Sequence, residues 1–229
     1  MKYYIFNHQV DTDEVGHVEG HLNGIGKKEY DEDSPNSWYK VPRSYDYRFP
    51  PDNLDLDYLS VDRKAKMTDV LSLFNNACGF VLSDKFKQIL DRMNLPPHRY
   101  YPAIIEHKKK FYHNYFYLHI VWDYFQFLKF DESVFEIWEN YGFKYTPKKF
   151  LGVVKIDSEE EYYKILVEYQ EIHPMNNIIS KSLVFKKDFN YDLFPLIFFH
   201  CSERLYEAIK SEGITGLDIQ PIDFEIRVE

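Results

Sequence analysis

Apolar positions recur along the chain with two different periods, and the switches between them mark out its elements. KYYIF at the start reads as a strand, and then Gly16, Gly20, Gly24 and Gly26, followed by Pro35, Pro42, Pro50 and Pro51, predict loops and short strands up to about residue 66. From Thr68 the pattern turns helical, with Val70, Leu71, Leu73 and Phe74 one turn apart, before FVLS gives a strand ending at Ser83. Phe86, Ile89, Leu90 and Met93 fall at i, i+3, i+4 and i+7, which predicts an amphipathic helix over 84–94 with Ser83 as its N-cap. AIIEH and the aromatic run FYHNYFYLHIVWDYFQF, rich in β-branched and aromatic residues, predict sheet, as do 130–138 and FLGVVKI. Glu159 to Glu171 reads as a helix capped by Ser158, with Tyr162, Ile165, Leu166 and Tyr169 on one face and an acidic first turn that suits the helix dipole. SLVFKK and LFPLIFFHCS follow as strands, 203–212 as a helix stopped by Gly213, and LDIQPIDFEIRV as one or two strands. On both short helices the apolar sets, Phe86, Ile89 and Leu90, and Leu205, Ala208 and Ile209, are expected to face the interior. The fold class is α+β: a mixed or antiparallel sheet packed with a few amphipathic helices, plus a loop-rich N-terminal lobe. The lobe spans 1–66 and the α+β domain 67–229.

Sliding the chain by 119 residues lays FVLSDKFKQILDRMNLPPHRYYP, from Phe80, on FHCSERLYEAIKSEGITGLDIQP, from Phe199, without a gap. Three identities over that length favour common structure rather than common ancestry. Both segments predict one unit: a strand, a capping serine, a helix of three turns, a tight turn and an extended segment entered through proline.

With 45% hydrophobic residues, 20 Tyr and 19 Phe, the chain buries a core and is not disordered. Two cysteines, Cys78 and Cys201, cannot form a disulfide framework and fit a reducing compartment as buried thiols. The first residues lack the apolar stretch of a signal peptide, and the apolar runs are about half the ~18 residues of a spanning helix, so a cytoplasmic location and no membrane contact are expected. The 28 basic against 37 acidic residues give a net charge of −9, the wrong sign for nucleic acid and the right one for a basic partner.

None of the familiar chemical motifs is complete. His17 and His21 in HVEGH lie four apart, but the Glu is misplaced for a zinc helix and the surrounding glycines oppose one. A loop metal site with Asp11 and Asp13 is weaker than a reading as solvated loop, and the same two acids lack the Gly and Glu that would complete a calcium loop. GHLNGIGKK has neither the spacing nor the setting of a phosphate cradle. Cys201 adjoins His200, with His119 a further candidate base, yet neighbours on a strand point to opposite faces. Asp55 with Asp57, and Asp123 with Asp131, could be paired carboxylates, although acidic clusters are usually solvated surface. The aromatics after Lys108, Lys109 and Lys110 suit core packing better than base stacking. No cofactor is expected.

GITGLDIQPID, preceded by the strand ending in Ser202 and its helix, resembles the ending of the bacterial immunity proteins of polymorphic toxin systems, a group formerly described as a domain of unknown function. VLSDKFKQIL, the Tyr-Pro before Ala103, and YFYLHIV followed by FDESVF extend the resemblance over Phe80 to Asp223, with the opening strand carrying it into the first lobe. The resemblance implies a non-enzymatic antidote that binds a cognate toxin domain. It transfers no catalytic residue, and Gly213, Gly216 and Ser202 are structural in it. The acidic and aromatic groups of the first lobe, Asp31, Glu32, Asp33, Trp38, Tyr39, Asp55 and Asp57, are the expected contact for a basic toxin domain, with Trp38 a central anchor. Two other classes remain: a hydrolase using Asp55 and Asp57 or a metal at His17 and His21, and a regulator that binds a different protein.

Overall fold

The opening strand finds its partners at the far end of the chain. In the computed structural model, which describes residues 2–16, 22–26, 29–41, 48–71, 79–140, 148–196 and 198–229, Tyr3–His8 forms β1 and lies between two C-terminal strands. The following strands are β2 (Leu22–Ile25), β3 (Leu59–Val61), β4 (Val70–Leu71) and β5 (Gly79–Ser83), and then comes the helix α1 (Asp84–Leu90). The hairpin β6 (His98–His107) and β7 (Lys110–Ile120) precedes β8 (Val134–Glu139), β9 (Lys149–Val154), α2 (Glu159–Ile172) and β10 (Asn176–Phe185). The chain closes with β11 (Leu193–Pro195), β12 (Phe199–Ser202), α3 (Glu203–Glu212), β13 (Leu217–Pro221) and β14 (Glu225–Val228). The fold is α+β, as the periodicities predict.

These elements form two compact units. The larger, Tyr3–Asp123 with Tyr191–Pro221, holds the sheets β2-β3-β6-β7-β5-β4 and β11-β12-β1-β13. The smaller, 1–2 with Tyr124–Asn190 and Ile222–Glu229, holds β14-β10-β8-β9 and α2. The division drawn from composition at residues 66 and 67 falls inside the larger unit, where β3 pairs in parallel with β6.

Four expectations change. Val70 and Leu71, assigned to a helix, are a strand paired with Leu82 and Val81, because burial on β5 outweighs the local spacing; Leu73 and Phe74 lie outside the described residues. LFPLIFFHCS is a hairpin and not one strand: Leu193 pairs with Cys201 and the turn closes through the Leu196 amide donating to Phe198 O at 2.8 Å. Pro195 has no amide proton to give, and it sits on an edge strand, where that loss is tolerated. Phe130–Glu132, expected to open a strand, is a short 3-10 turn before β8. α1 also stops at Leu90, well before Asn94.

The match at an offset of 119 residues corresponds to a repeated structural module. The orders β4-β5-β7-β6 and β11-β12-β1-β13 are equivalent strand for strand, antiparallel throughout, with α1 after β5 and α3 after β12. The counterpart of β7 is β1, so one copy is circularly permuted relative to the other. The helix starts agree atom for atom. Ser83 Oγ accepts from the Phe86 amide at 3.3 Å and donates to Asp69 Oδ1 at 2.7 Å; Ser202 Oγ accepts from the Leu205 amide at 3.2 Å and donates to Asp192 Oδ1 at 2.6 Å. Each aspartate also ties down the other copy: Asp69 Oδ2 accepts from the Thr215 amide and hydroxyl after α3, and Asp192 Oδ2 accepts from the Asn94 amide after α1. At the end of α3, Gly213 takes the left-handed conformation (φ 61°), and a Cβ on Gly216 (φ 87°) would stand 2.4 Å from Val70 O.

Candidate partner-binding surface

The residues expected to contact a partner occupy one stretch of the larger unit, and a tyrosine organises it. Tyr30 donates from its hydroxyl to Asp55 O at 3.1 Å, and the same hydroxyl accepts from the Trp38 amide. The Asp55 amide donates to Asn36 O at 2.7 Å, so the segment 30–39 is strapped to residue 55 at two points. Ser37 caps the single turn Trp38–Lys40 through the Tyr39 amide at 3.2 Å. Asp31, Glu32, Asp33, Tyr39 and Asp57 are exposed and Asp55 is half-buried, so the strap exposes three carboxylates and one aromatic ring. Tyr39, half exposed at 50%, stands edge-on to Tyr30 at 6.2 Å.

Trp38 points the other way. Only 6% exposed, it meets Tyr117 edge-on at 5.4 Å within a core cluster that includes Leu56, Leu59 and Ile105. It supports the strap from beneath, and the exposed aromatic beside the acids is Tyr39.

The carboxylates of this segment make turns. Asp31 Oδ1 accepts from the Asp33 amide and Asp55 Oδ1 from the Asp57 amide, both at 3.1 Å. That is the chemistry of exposed loops. Asp33 also faces Lys40 at 3.8 Å, a surface pair of small energetic weight.

The other candidate groups lie in packed surroundings. Cys201 is buried, and burial, with Asp192 beside it, pushes its thiol up to about 12, which leaves no thiolate for nucleophilic attack. His200 next to it is held by Phe198 O at 2.9 Å from Nδ1. His119 lies between the Tyr117 hydroxyl at Nδ1 (2.9 Å) and Arg48 O at Nε2 (3.1 Å); burial lowers its pKa to about 4, so it is neutral, with Nε2 as donor. His17, His21 and Cys78 lie outside the described residues. Among the described residues no cluster of His, Cys, Asp or Glu is placed to hold a metal ion, and no helix is long and apolar enough to cross a membrane.

One feature of the smaller unit carries no signal in the strand pattern. Phe150, Leu151 and Val153 of β9 are exposed, as are Tyr163 and Val167 of α2. Alternation reveals that a strand has two faces; it does not reveal which of them is left open.

A family model of immunity proteins, Imm11, matches residues 3–223. The chain belongs to the Imm11 immunity protein family. The match takes in both units, including the first strand and the acidic strap. No curated protein matches the chain. Membership indicates an immunity function and, in general terms, a toxin partner. The module of strand, capped helix and GITGLDIQPID ending by which the sequence resembled such proteins is thus part of an Imm11 chain, and its Ser202, Gly213 and Gly216 are structural in it.

Proposed function

We propose that this Imm11 protein is a cytoplasmic antidote: it binds one cognate toxin domain and neutralises it by covering a functional surface, without catalysing a reaction. The family match over 3–223 carries the reading. The packing of His119 and Cys201 supports the non-enzymatic part, since both ring nitrogens of His119 are taken by Tyr117 and Arg48 O, and the buried Cys201 thiol stays protonated near neutral pH.

The strap at 30–39 is the proposed acidic contact, with Asp31, Glu32, Asp33, Tyr39, Asp55 and Asp57 facing the toxin and Trp38 fixing them from the core. Its exposed carboxylates and the net charge of −9 suit a basic toxin domain, whose approach they would steer. Steering acts through long-range fields, so raising salt slows association more than it speeds dissociation. Reversing Asp31, Glu32 and Asp33 to lysine lowers the on-rate and leaves the off-rate close to that of the wild type.

Co-expression with the toxin domain encoded beside the gene tests the reading. The wild-type protein restores growth and co-purifies with that domain; if it does neither, the antidote reading is wrong.

A further inference from the structure

In β8, Phe135 and Ile137 are each 1% exposed and alternate with Val134, Glu136 and Trp138, which are only half-buried. Successive strand residues point to opposite faces, so the sheet has one covered and one open face. The covered face carries Phe135, 6.0 Å from Tyr162 of α2. On the open face the register sets Val153, Glu136 and Ile179 side by side in one row, and Phe150, Trp138 and Asn177 in the next. Phe150 is 49% exposed, Val153 is 67% exposed, and the Trp138 and Phe150 rings stand 5.3 Å apart.

A carboxylate sits in the middle of this apolar area. Glu136 Oε2 accepts from Trp138 Nε1 at 2.9 Å. No cation pairs with it among the described residues, since Lys149 faces Glu139 at 3.9 Å and Lys155 faces Asp157 at 3.0 Å. A charge left unpaired when the face is covered is costly, so whatever covers it must bring a cation.

We infer that the open face of β8, β9 and β10 is a docking surface for the toxin domain of the proposed function, received through a protruding arginine or lysine flanked by apolar side chains. A central tryptophan in an apolar field with a polar rim is the usual make-up of an interface hot spot. The same groups disfavour a second copy of the chain. Face to face, two Glu136 carboxylates would meet. Edge to edge, antiparallel pairing of β9 centred on Gly152 would set Lys149 against Lys155, and the bulge beside Gly152 interrupts the ladder. Anionic lipid or nucleic acid would be repelled by Glu136.

The inference rests on the antidote reading, and the experiment separates the two. Binding of the neighbouring toxin domain is measured by calorimetry for the wild type, Glu136→Gln, Glu136→Arg and Val153→Asp, with sedimentation of each isolated protein and a thermal melt to confirm folding. The expected losses of affinity are about tenfold for Glu136→Gln and about a hundredfold or more for Glu136→Arg and Val153→Asp. If the wild type binds and the folded variants bind equally well, this face is not the docking surface, although the antidote reading stands. If the wild type does not bind, both fall. A wild-type dimer that Val153→Asp turns into a monomer makes the face a self-contact and also overturns the inference.

Discussion

Ser83 and Ser202 each do two jobs, accepting from a helix amide and donating to an aspartate, so their loss costs more than a missing cap. Ser→Ala at either position is expected to destabilise by about 1–2 kcal/mol, at the upper end of the range for caps. Asp192→Ala goes further, because it strips the partner from the buried Ser202 hydroxyl and from the Asn94 amide; each donor left without a partner costs about 1–3 kcal/mol. Urea denaturation with an unchanged m-value checks both. His119 adds a pH dependence. Its folded pKa, near 4, lies below the 6.5 of an unperturbed imidazole, so the unfolded chain binds the proton first. Stability contributed by neutral His119 is therefore complete above about pH 6.5 and is lost as pH falls towards 4. His119→Gln flattens that part of the stability curve; His8 and His107, whose pKa values burial also lowers, contribute to the remaining slope. An unchanged slope in the variant would remove His119 from the account.

The elements were legible where local chemistry decides them. Ser83, Ser158 and Ser202 cap helices at the predicted residues, and Gly213 ends α3, because caps and stops depend on a few neighbouring atoms. The apolar positions of α1 and α3 face inward as their spacing predicts, with Phe86, Leu90 and Leu205 fully buried and Ala208 half-buried. Phe86→Ala removes a ring that stacks on Phe6 at 6.0 Å and should cost about 3–5 kcal/mol. What spacing could not supply was pairing. Val70 and Leu71 became a strand through β5, LFPLIFFHCS folded back on itself so that Leu193 pairs with Cys201, and β1 entered a sheet made by residues about two hundred positions away. Trp38 shows the same limit at the candidate site. Composition grouped it with Tyr39 and the acids, yet the turn at Ser37 sends one ring inward and the other out. Trp38→Ala is therefore expected to lower stability by about 3–5 kcal/mol in the isolated protein, which a thermal melt without any partner would detect.

At the scale of the whole molecule, the two surfaces proposed for the toxin differ in their physics. The strap of the larger unit, with its exposed carboxylates, is proposed to act on the encounter. The open face of the smaller unit, with Trp138, Phe150 and Val153 around Glu136, is proposed to act on the lifetime of the complex. In the larger unit the two similar modules are cross-tied through Asp69 and Asp192. The central claim is that protection is binding and not catalysis, and stoichiometry tests it most directly. Purified protein is titrated against a fixed amount of the neighbouring toxin domain while the toxin's activity is followed. Binding predicts that inhibition grows in proportion to added protein, is complete at a fixed molar ratio, and is recovered as active toxin when the complex is separated under denaturing conditions and the toxin refolded. Complete and lasting inactivation by a small fraction of an equivalent, with a toxin that stays inactive after separation, would mean that the protein modifies its target and would contradict the account.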